Sequence, residues 1–415
     1  MNQNSEASQP CAFLWDESFL WGLMAYEALL TAGLDFDIIS SDDVRAGNLG
    51  KYTMVFVPGG WASNKLKALG NEGVKEVRRF VENGGSYLGF CGGAGLATLD
   101  GIGLLNVNRM PTKRRVPSFS GKACFSFTDH SMWDGASGPN FHVWWPSQFL
   151  IADPSIKVLA AYAEALPESY SSDLNVGDVM KYYGSWSALE HSYGINLDPA
   201  RLKGQPAVVE GICGKGKVLL SLVHFDTPDD ADGRTVLVNL WKYLADAMPV
   251  KYNNSGQSIM QHALLQHPAA DLDGAVDDLI AFGERHFLWF WRNRFLLQWK
   301  RGIRGLEYCT LRGMIKAVAA YSHGIYSDDP SIHRLLQPIR DIFPAFKEKA
   351  ERLLLHERMA LQNGHLITYD KTDDPHVKAL RAELFANSKS YGGQFKELLD
   401  EIDKLVLYLL RTVHK

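Results

Sequence analysis

The chain has 415 residues, of which 46% are hydrophobic and 22% charged, with a formal net charge of −4. That length accommodates two domains of roughly 100–200 residues each, and the near balance of charge argues against a nucleic-acid partner, which demands a basic excess. No apolar run approaches the roughly 18 residues that span a bilayer, since the closest, Phe287 to Trp291, is ended by Arg292, Asn293 and Arg294.

The first half alternates strand and helix. Ala12 to Trp15 is a short apolar run, after which Ser18 is placed to cap a helix carrying Leu20, Leu23, Met24 and Leu30, with Gly33 as its stop. Phe36 to Ser40 is a second strand, and Thr53 to Val57 a third, apolar throughout as for a strand covered on both faces. Pro58-Gly59-Gly60 ends it. Val74, Val77 and Val81 then form a helical stripe, with Lys75, Glu76, Arg78, Arg79 and Glu82 on the wet side and Asn83-Gly84-Gly85 as the stop. Ser86 to Phe90 is the next strand and runs into Cys91-Gly92-Gly93-Ala94-Gly95. This alternation predicts a doubly wound, mostly parallel sheet with right-handed crossovers. In such sheets the site lies at the carboxyl ends of the strands, where both glycine-rich turns fall.

From about 100 to 200 the pattern is loose and aromatic, with Trp133, Trp144, Trp145, Tyr182, Tyr183 and Trp186 suggesting long insertions near the sheet. The basic run Lys113-Arg114-Arg115 reads as a solvated loop. Pro206 to Glu210, the Gly214-Lys215-Gly216 turn and Val218 to Val223 form a hairpin. His224-Phe225-Asp226 follows, then an acidic loop and a helix from about Thr235 to Ala247. Pro249 to Gln257 reads as a linker, dividing the chain into an α/β domain at 10–248 and an all-α domain at 258–415. In the latter, Glu284 to Lys300 carries an aromatic stripe that suits buried core or a domain interface, with a membrane surface as the alternative. Phe395, Leu398, Ile402, Leu405, Leu409 and Val413 make a long amphipathic helix. It belongs to a bundle or, alternatively, joins copies of the chain as a homo-oligomer.

Gly89-Phe90-Cys91-Gly92-Gly93 fits G-x-C-x-G, the thiol form of the nucleophile elbow. Glycines flank the nucleophile because side chains there would clash with a strained strand-to-helix turn. The helix that starts at the turn aims amide donors and its positive end at the sulfur, favouring thiolate. Gly92 would offer its N–H to an oxyanion, and the Gly59-Gly60 turn would supply a second donor. A thiol needs a base; His224 follows a buried strand directly, and Asp226 two residues on would orient its imidazole. Each piece has a plainer reading: a small buried cysteine in a glycine-rich turn, a polar strand cap, and an acidic loop capping the next helix. Together, in order and at strand ends, they read as a site. His130 and His142 lie in the aromatic segment, as structural residues or as substrate contacts. No histidines fall at metal-ligand spacing, Pro228 breaks a calcium-loop order, and no P-loop occurs, so neither metal nor cofactor is expected. Five cysteines, at 11, 91, 124, 213 and 309, form no CxxC pair and suit a reducing cytoplasm. Met1 to Pro10 lacks the basic start of a signal peptide.

Val57-Pro58-Gly59-Gly60, the segment Tyr87 to Ala94, and Gly214 to Ser221 leading to His224 resemble the biotin–protein ligase N-terminal domain family, within the class I glutamine amidotransferase-like superfamily. The resemblance spans about residues 10–248. It implies a flavodoxin-like sheet and a Cys91–His224–acid triad, with Asp226 as the acid. It does not imply biotin ligation, because the glycine- and arginine-rich biotin-binding motif is absent. Two departures stand out. Glutamine-hydrolysing members usually carry Gln or Glu four residues after the cysteine, where this chain has Gly95, and usually end His-Pro-Glu, where it has His224-Phe225-Asp226. The leading expectation is a cysteine hydrolase or amidotransferase-like enzyme acting on an amide or related C–N bond of a small molecule. The alternatives are a non-catalytic binding module of the same fold and a glutaminase-type subunit feeding ammonia to a separate synthase.

Overall fold

In a computed structural model that describes residues 11–245, 268–324, 329–386 and 389–414, all four residues of β1 (Cys11–Leu14) are buried. Strand and helix then alternate through α1 (Phe19–Thr31), β2 (Phe36–Ile39), α2 (Ser41–Arg45), β3 (Met54–Val57), α3 (Ala62–Glu82), β4 (Ser86–Phe90) and the short α4 (Gly92–Leu96). Next come β5 (Val107–Arg109), β6 (Phe119–Phe127), β7 (Asn140–Trp144), β8 (Phe149–Ile151), β9 (Lys157–Ala165), β10 (Tyr170–Ser171), β11 (Leu174–Asn175), α5 (Val176–Tyr182) and α6 (Ser187–Tyr193). β12 (Pro206–Cys213), β13 (Gly216–Ser221) and α7 (Ala231–Ala245) follow. The chain divides into two compact units, Met1–Gly256 and Gln257–Lys415.

Five strands of the first unit are parallel neighbours in the order β2-β1-β3-β4-β13. This is the flavodoxin-like order, and every residue of β3 and β4 is buried because layers cover both faces. Alternate residues of β3 sort between them. Phe56 packs on Phe13, Phe90 and Trp241 of α7, whereas Val55 and Val57 join the cluster containing Val77 and Val81 of α3. Pairing of Ser221 with Phe90 brings β13 and β4 to an end side by side.

The region from 100 to 200 does not form insertions beside the sheet. It extends the sheet: β9, β6, β7, β10 and β11, joined to the parallel strands through β12, bring six antiparallel strands and make eleven in all. The period-2 signal is broken there because the β12–β9 and β6–β9 registers shift and two of the strands are only two residues long. Ser18 stands at the start of α1 as expected, but its hydroxyl makes no cap; it accepts from the Lys65 ammonium. The expected linker, Pro249 to Gln257, lies outside the described residues.

The second unit is helical: α8 (Ala270–Arg285), α9 (Gly305–Gly324), α10 (Pro330–Gln362), α11 (Pro375–Phe385) and α12 (Gly393–Val413). It departs from an all-α region in one respect, because the aromatic segment forms a hairpin of β14 (Trp289–Trp291) and β15 (Leu297–Trp299). Trp289 is buried there and donates to the Ile280 carbonyl at 3.0 Å, while Phe287 and Phe290 are exposed. The α12 stripe from Phe395 to Leu409 is buried inside its own unit, as in a bundle.

Candidate active site

Cys91 follows β4 with φ +48° and ψ −100°, a conformation that costs a non-glycine residue roughly 1–3 kcal/mol. Its neighbours hold it there. The Cys91 N–H donates to the Ser221 carbonyl at 2.7 Å, its carbonyl accepts from Gly95 at 2.9 Å, and Gly93 donates to Pro58 at 3.2 Å. Gly92 is irreplaceable by geometry, since a Cβ there would lie 1.9 Å from the Gly60 carbonyl oxygen. Gly60 itself has φ +120°, and a Cβ on it would lie 2.3 Å from the Glu17 carbonyl oxygen. The two turns expected to supply oxyanion donors thus interlock backbone to backbone. The helix expected to polarise the sulfur is only five residues long. A single turn aligns few peptide dipoles, so it contributes individual amides rather than a macrodipole.

His224 follows β13 at the same sheet edge. Ser221 shapes the approach: its hydroxyl donates to the Val223 carbonyl at 2.8 Å and accepts from the Val223 amide at 3.0 Å. His224 is 1% exposed, and its Nδ1 lies 2.9 Å from Oδ1 of the equally buried Asp226. Burial by itself would strip the proton from this imidazole. The Asp226 charge and hydrogen bond, reinforced by Cys91, outweigh burial and raise the histidine to about 10. Nε2 is buried and makes no regular hydrogen bond, so it is the ring nitrogen left for the Cys91 side. Gly59 packs against this ring; a Cβ there would sit 3.2 Å from Cε1. The structure therefore brings Cys91, His224, Asp226, Gly59, Gly60 and Gly92 together.

Aromatic residues wall the site in. Trp21 of α1 stacks obliquely on His224 with ring centroids 5.1 Å apart and meets Trp145 edge-on at 5.9 Å. Trp144 donates to the Thr227 hydroxyl at 3.1 Å, which donates to the His224 carbonyl at 3.0 Å. His142 belongs to this shell: its carbonyl accepts from the His224 amide at 2.9 Å, and its Nδ1 lies 2.6 Å from Asp230. His130 is elsewhere, edge-on to Tyr243 at 4.6 Å.

Sequence reasoning missed three contributors. Lys65 is buried, donates to the Asp16 carbonyl at 3.0 Å and to Ser18, and braces the loop over Gly60. Arg109 of β5 lies against Gly95; a Cβ on that glycine would be 2.6 Å from Nη1. Arg115 turns inward while Lys113 and Arg114 stay exposed, so the basic run is a solvated loop only in its first two residues. The one available signal was Gly95 itself, a gap where the resemblance leads one to expect a long side chain. A cavity of about 730 Å³ lined by Thr53, Ser86, Arg79, Lys217 and Tyr243 lies at the opposite ends of β3 and β4, away from Cys91. Among the described residues no cluster could hold a metal ion, all five cysteines are free, and no helix is long and apolar enough to cross a membrane.

No protein of curated function matches the chain in sequence. A solved glutamine amidotransferase structure is 20% identical, covering 57% of this chain and 99% of that one at a TM-score of 0.37. A β-galactosidase from Bacillus circulans is 16% identical, covering 60% of this chain and 33% of that one, also at 0.37. Likeness at this level concerns the fold and not the chemistry. The family model for the N terminus of biotin-protein ligase matches residues 40–100. That span runs from the end of β2 through the Cys91 elbow, so the resemblance to the biotin–protein ligase N-terminal domain family is carried by the half of the site that holds the thiol.

Proposed function

We propose that the chain is a cysteine-nucleophile enzyme that cleaves an amide or related C–N bond of a small molecule. One observation carries this reading: a strained cysteine elbow and a buried, acid-paired histidine at the ends of adjacent parallel strands. Strain of this kind is retained where the nucleophile must project from the turn.

In this reading His224 takes the proton of Cys91 as the sulfur attacks. The sulfur attacks the carbonyl carbon, and the N–H groups of Gly60 and Gly92 donate to the oxyanion that forms. His224 returns its Nε2 proton to the departing nitrogen as the C–N bond breaks, leaving a thioester. Water then attacks the thioester, giving its proton to His224, and the acid leaves as the thiol re-forms. Asp226 keeps the ring oriented throughout and stabilises its charge.

Alkylation of Cys91 by iodoacetamide at pH 7, followed by peptide mass spectrometry, tests the pair. Cys91 should label faster than free cysteine, and His224→Ala should slow it roughly 100-fold or more, in line with the usual worth of a positioned base. Equal rates in the two proteins would sink the proposal. A screen of amides for ammonia release, glutamine first and Cys91→Ala as the blank, then identifies the substrate.

A further inference from the structure

Arg109 lies against the Cys91 elbow and acts on Arg115, which in turn feels the charge of Cys91. The Arg109 guanidinium rests on Gly95, whose amide bonds the Cys91 carbonyl at 2.9 Å. Its Nε is buried and makes no hydrogen bond. The Arg115 Nε donates to the Met110 carbonyl at 2.5 Å, and Asn196 fixes the Arg115 backbone by donating to its carbonyl at 2.8 Å. Among the described residues neither arginine forms an ion pair, in a chain that is net acidic. Partial burial and the charge of Arg109 together pull Arg115 down to about 10, whereas Cys91 and Asp100 act on it in the opposite sense. Two like charges held half out of water repel one another and lose hydration, an arrangement that an anion between them would relieve. Close by, Gln148 is buried with its Oε1 unpaired, and its carbonyl accepts from Met110 at 2.8 Å.

We infer that Arg109 and Arg115 form an anion subsite beside Cys91, so that the acyl donor is an amide bearing a carboxylate or phosphate near its scissile carbonyl. The inference rests on the proposed nucleophile and adds the class of substrate. Gly95 is what admits the subsite: a Gln or Glu in its place would occupy the space of the Arg109 guanidinium. Guanidinium forks match carboxylate and phosphate oxygens equally in geometry, so the two sources are separated by experiment.

Iodoacetate and iodoacetamide are the probes. Both alkylate sulfur by the same displacement, in which the S–C bond forms as iodide leaves, and they differ in one carboxylate. Their rate ratio at Cys91, measured in the full chain, cancels any change in nucleophilicity or folded fraction. Wild type should favour iodoacetate, and Arg109→Gln or Arg115→Gln should lower the ratio roughly tenfold, as expected for one guanidinium facing an anion at close range. Equal slowing with both reagents would mean that the arginines act on the sulfur alone and would overturn the inference while leaving the nucleophile standing. Should Cys91 label with neither reagent, the nucleophile falls instead, and thermal stabilisation decides the subsite. Glutarate should raise the melting temperature of wild type and not of the arginine variants, glutaramide should have no effect, and inorganic phosphate in the same assay identifies the preferred anion. No stabilisation by either anion would overturn it.

Discussion

His224 is the residue on which the site turns, because two opposing effects meet on one ring. Burial disfavours its charge, and Asp226 restores it, leaving the proton bound up to a pH of about 10. A group raised on folding stabilises the native state fully below its unfolded value of about 6.5 and loses that contribution as pH climbs through the folded value. Asp226→Asn removes the restoring charge. The variant should therefore be less stable than wild type near pH 6, with the gap closing as pH approaches 10. Urea denaturation at several pH values measures it, and a gap that widened above pH 7 would contradict the assignment. His224 and Asp226 were legible in the sequence because a strand end fixes where the next residues go. Arg109 was not, because its position depends on β5 pairing with β8, where Arg109 faces Phe149 forty residues away in sequence.

Between elements, the join of β4 and β13 aligns nucleophile with base, and Ser221 is its fastening. Its carbonyl takes the Cys91 amide, and its hydroxyl binds both polar groups of Val223, one residue before His224. Ser221→Ala keeps the carbonyl but strands the buried Val223 N–H, at about 1–3 kcal/mol. The turn should relax and His224 drift from the sulfur. Iodoacetamide labelling of Cys91 should slow about tenfold while the far-ultraviolet spectrum stays native, and Ser221→Thr, which keeps the hydroxyl, should recover part of the rate. Unchanged labelling in Ser221→Ala would show that the strand pairing alone suffices. The parallel strands could be read because each is a continuous apolar run closed by glycine or proline. The antiparallel extension could not, since Lys157 to Ala165 and Phe119 to Phe127 pair across a register shift that erases simple alternation. The β14–β15 hairpin escaped notice for a related reason. Strands of three residues each, Trp-Phe-Trp and Leu-Gln-Trp, carry too few residues for a period to emerge.

At the scale of the whole molecule, every residue of the candidate site lies within Met1–Gly256, and the helical unit has a polar centre of its own. Arg381 reaches the buried Glu357 at 2.6 Å and donates to the carbonyls of Thr368 and Gly302, each at 2.7 Å. Arg304 bonds the buried Glu307 at 2.7 Å, and Tyr369 joins them by donating to Glu307 at 2.8 Å. Burial pushes the Glu357 carboxyl up, and the Arg381 charge is what opposes it. Deleting one partner of such a pair strands the other, at a cost of about 3–5 kcal/mol, whereas replacing both by apolar residues is often close to neutral. Arg381→Met should therefore lower stability in urea by about that amount, and the double variant with Glu357→Leu should recover most of the loss. Equal loss in the single and double variants would mean that the arginine acts through its carbonyl contacts rather than through the ion pair. The same variants bear on how the halves of the chain share their work. If the chemistry belongs to the α/β unit, the iodoacetate-to-iodoacetamide ratio at Cys91 stays at its wild-type value in Arg381→Met below the unfolding transition. A ratio that moved with the helical unit's stability would contradict that division.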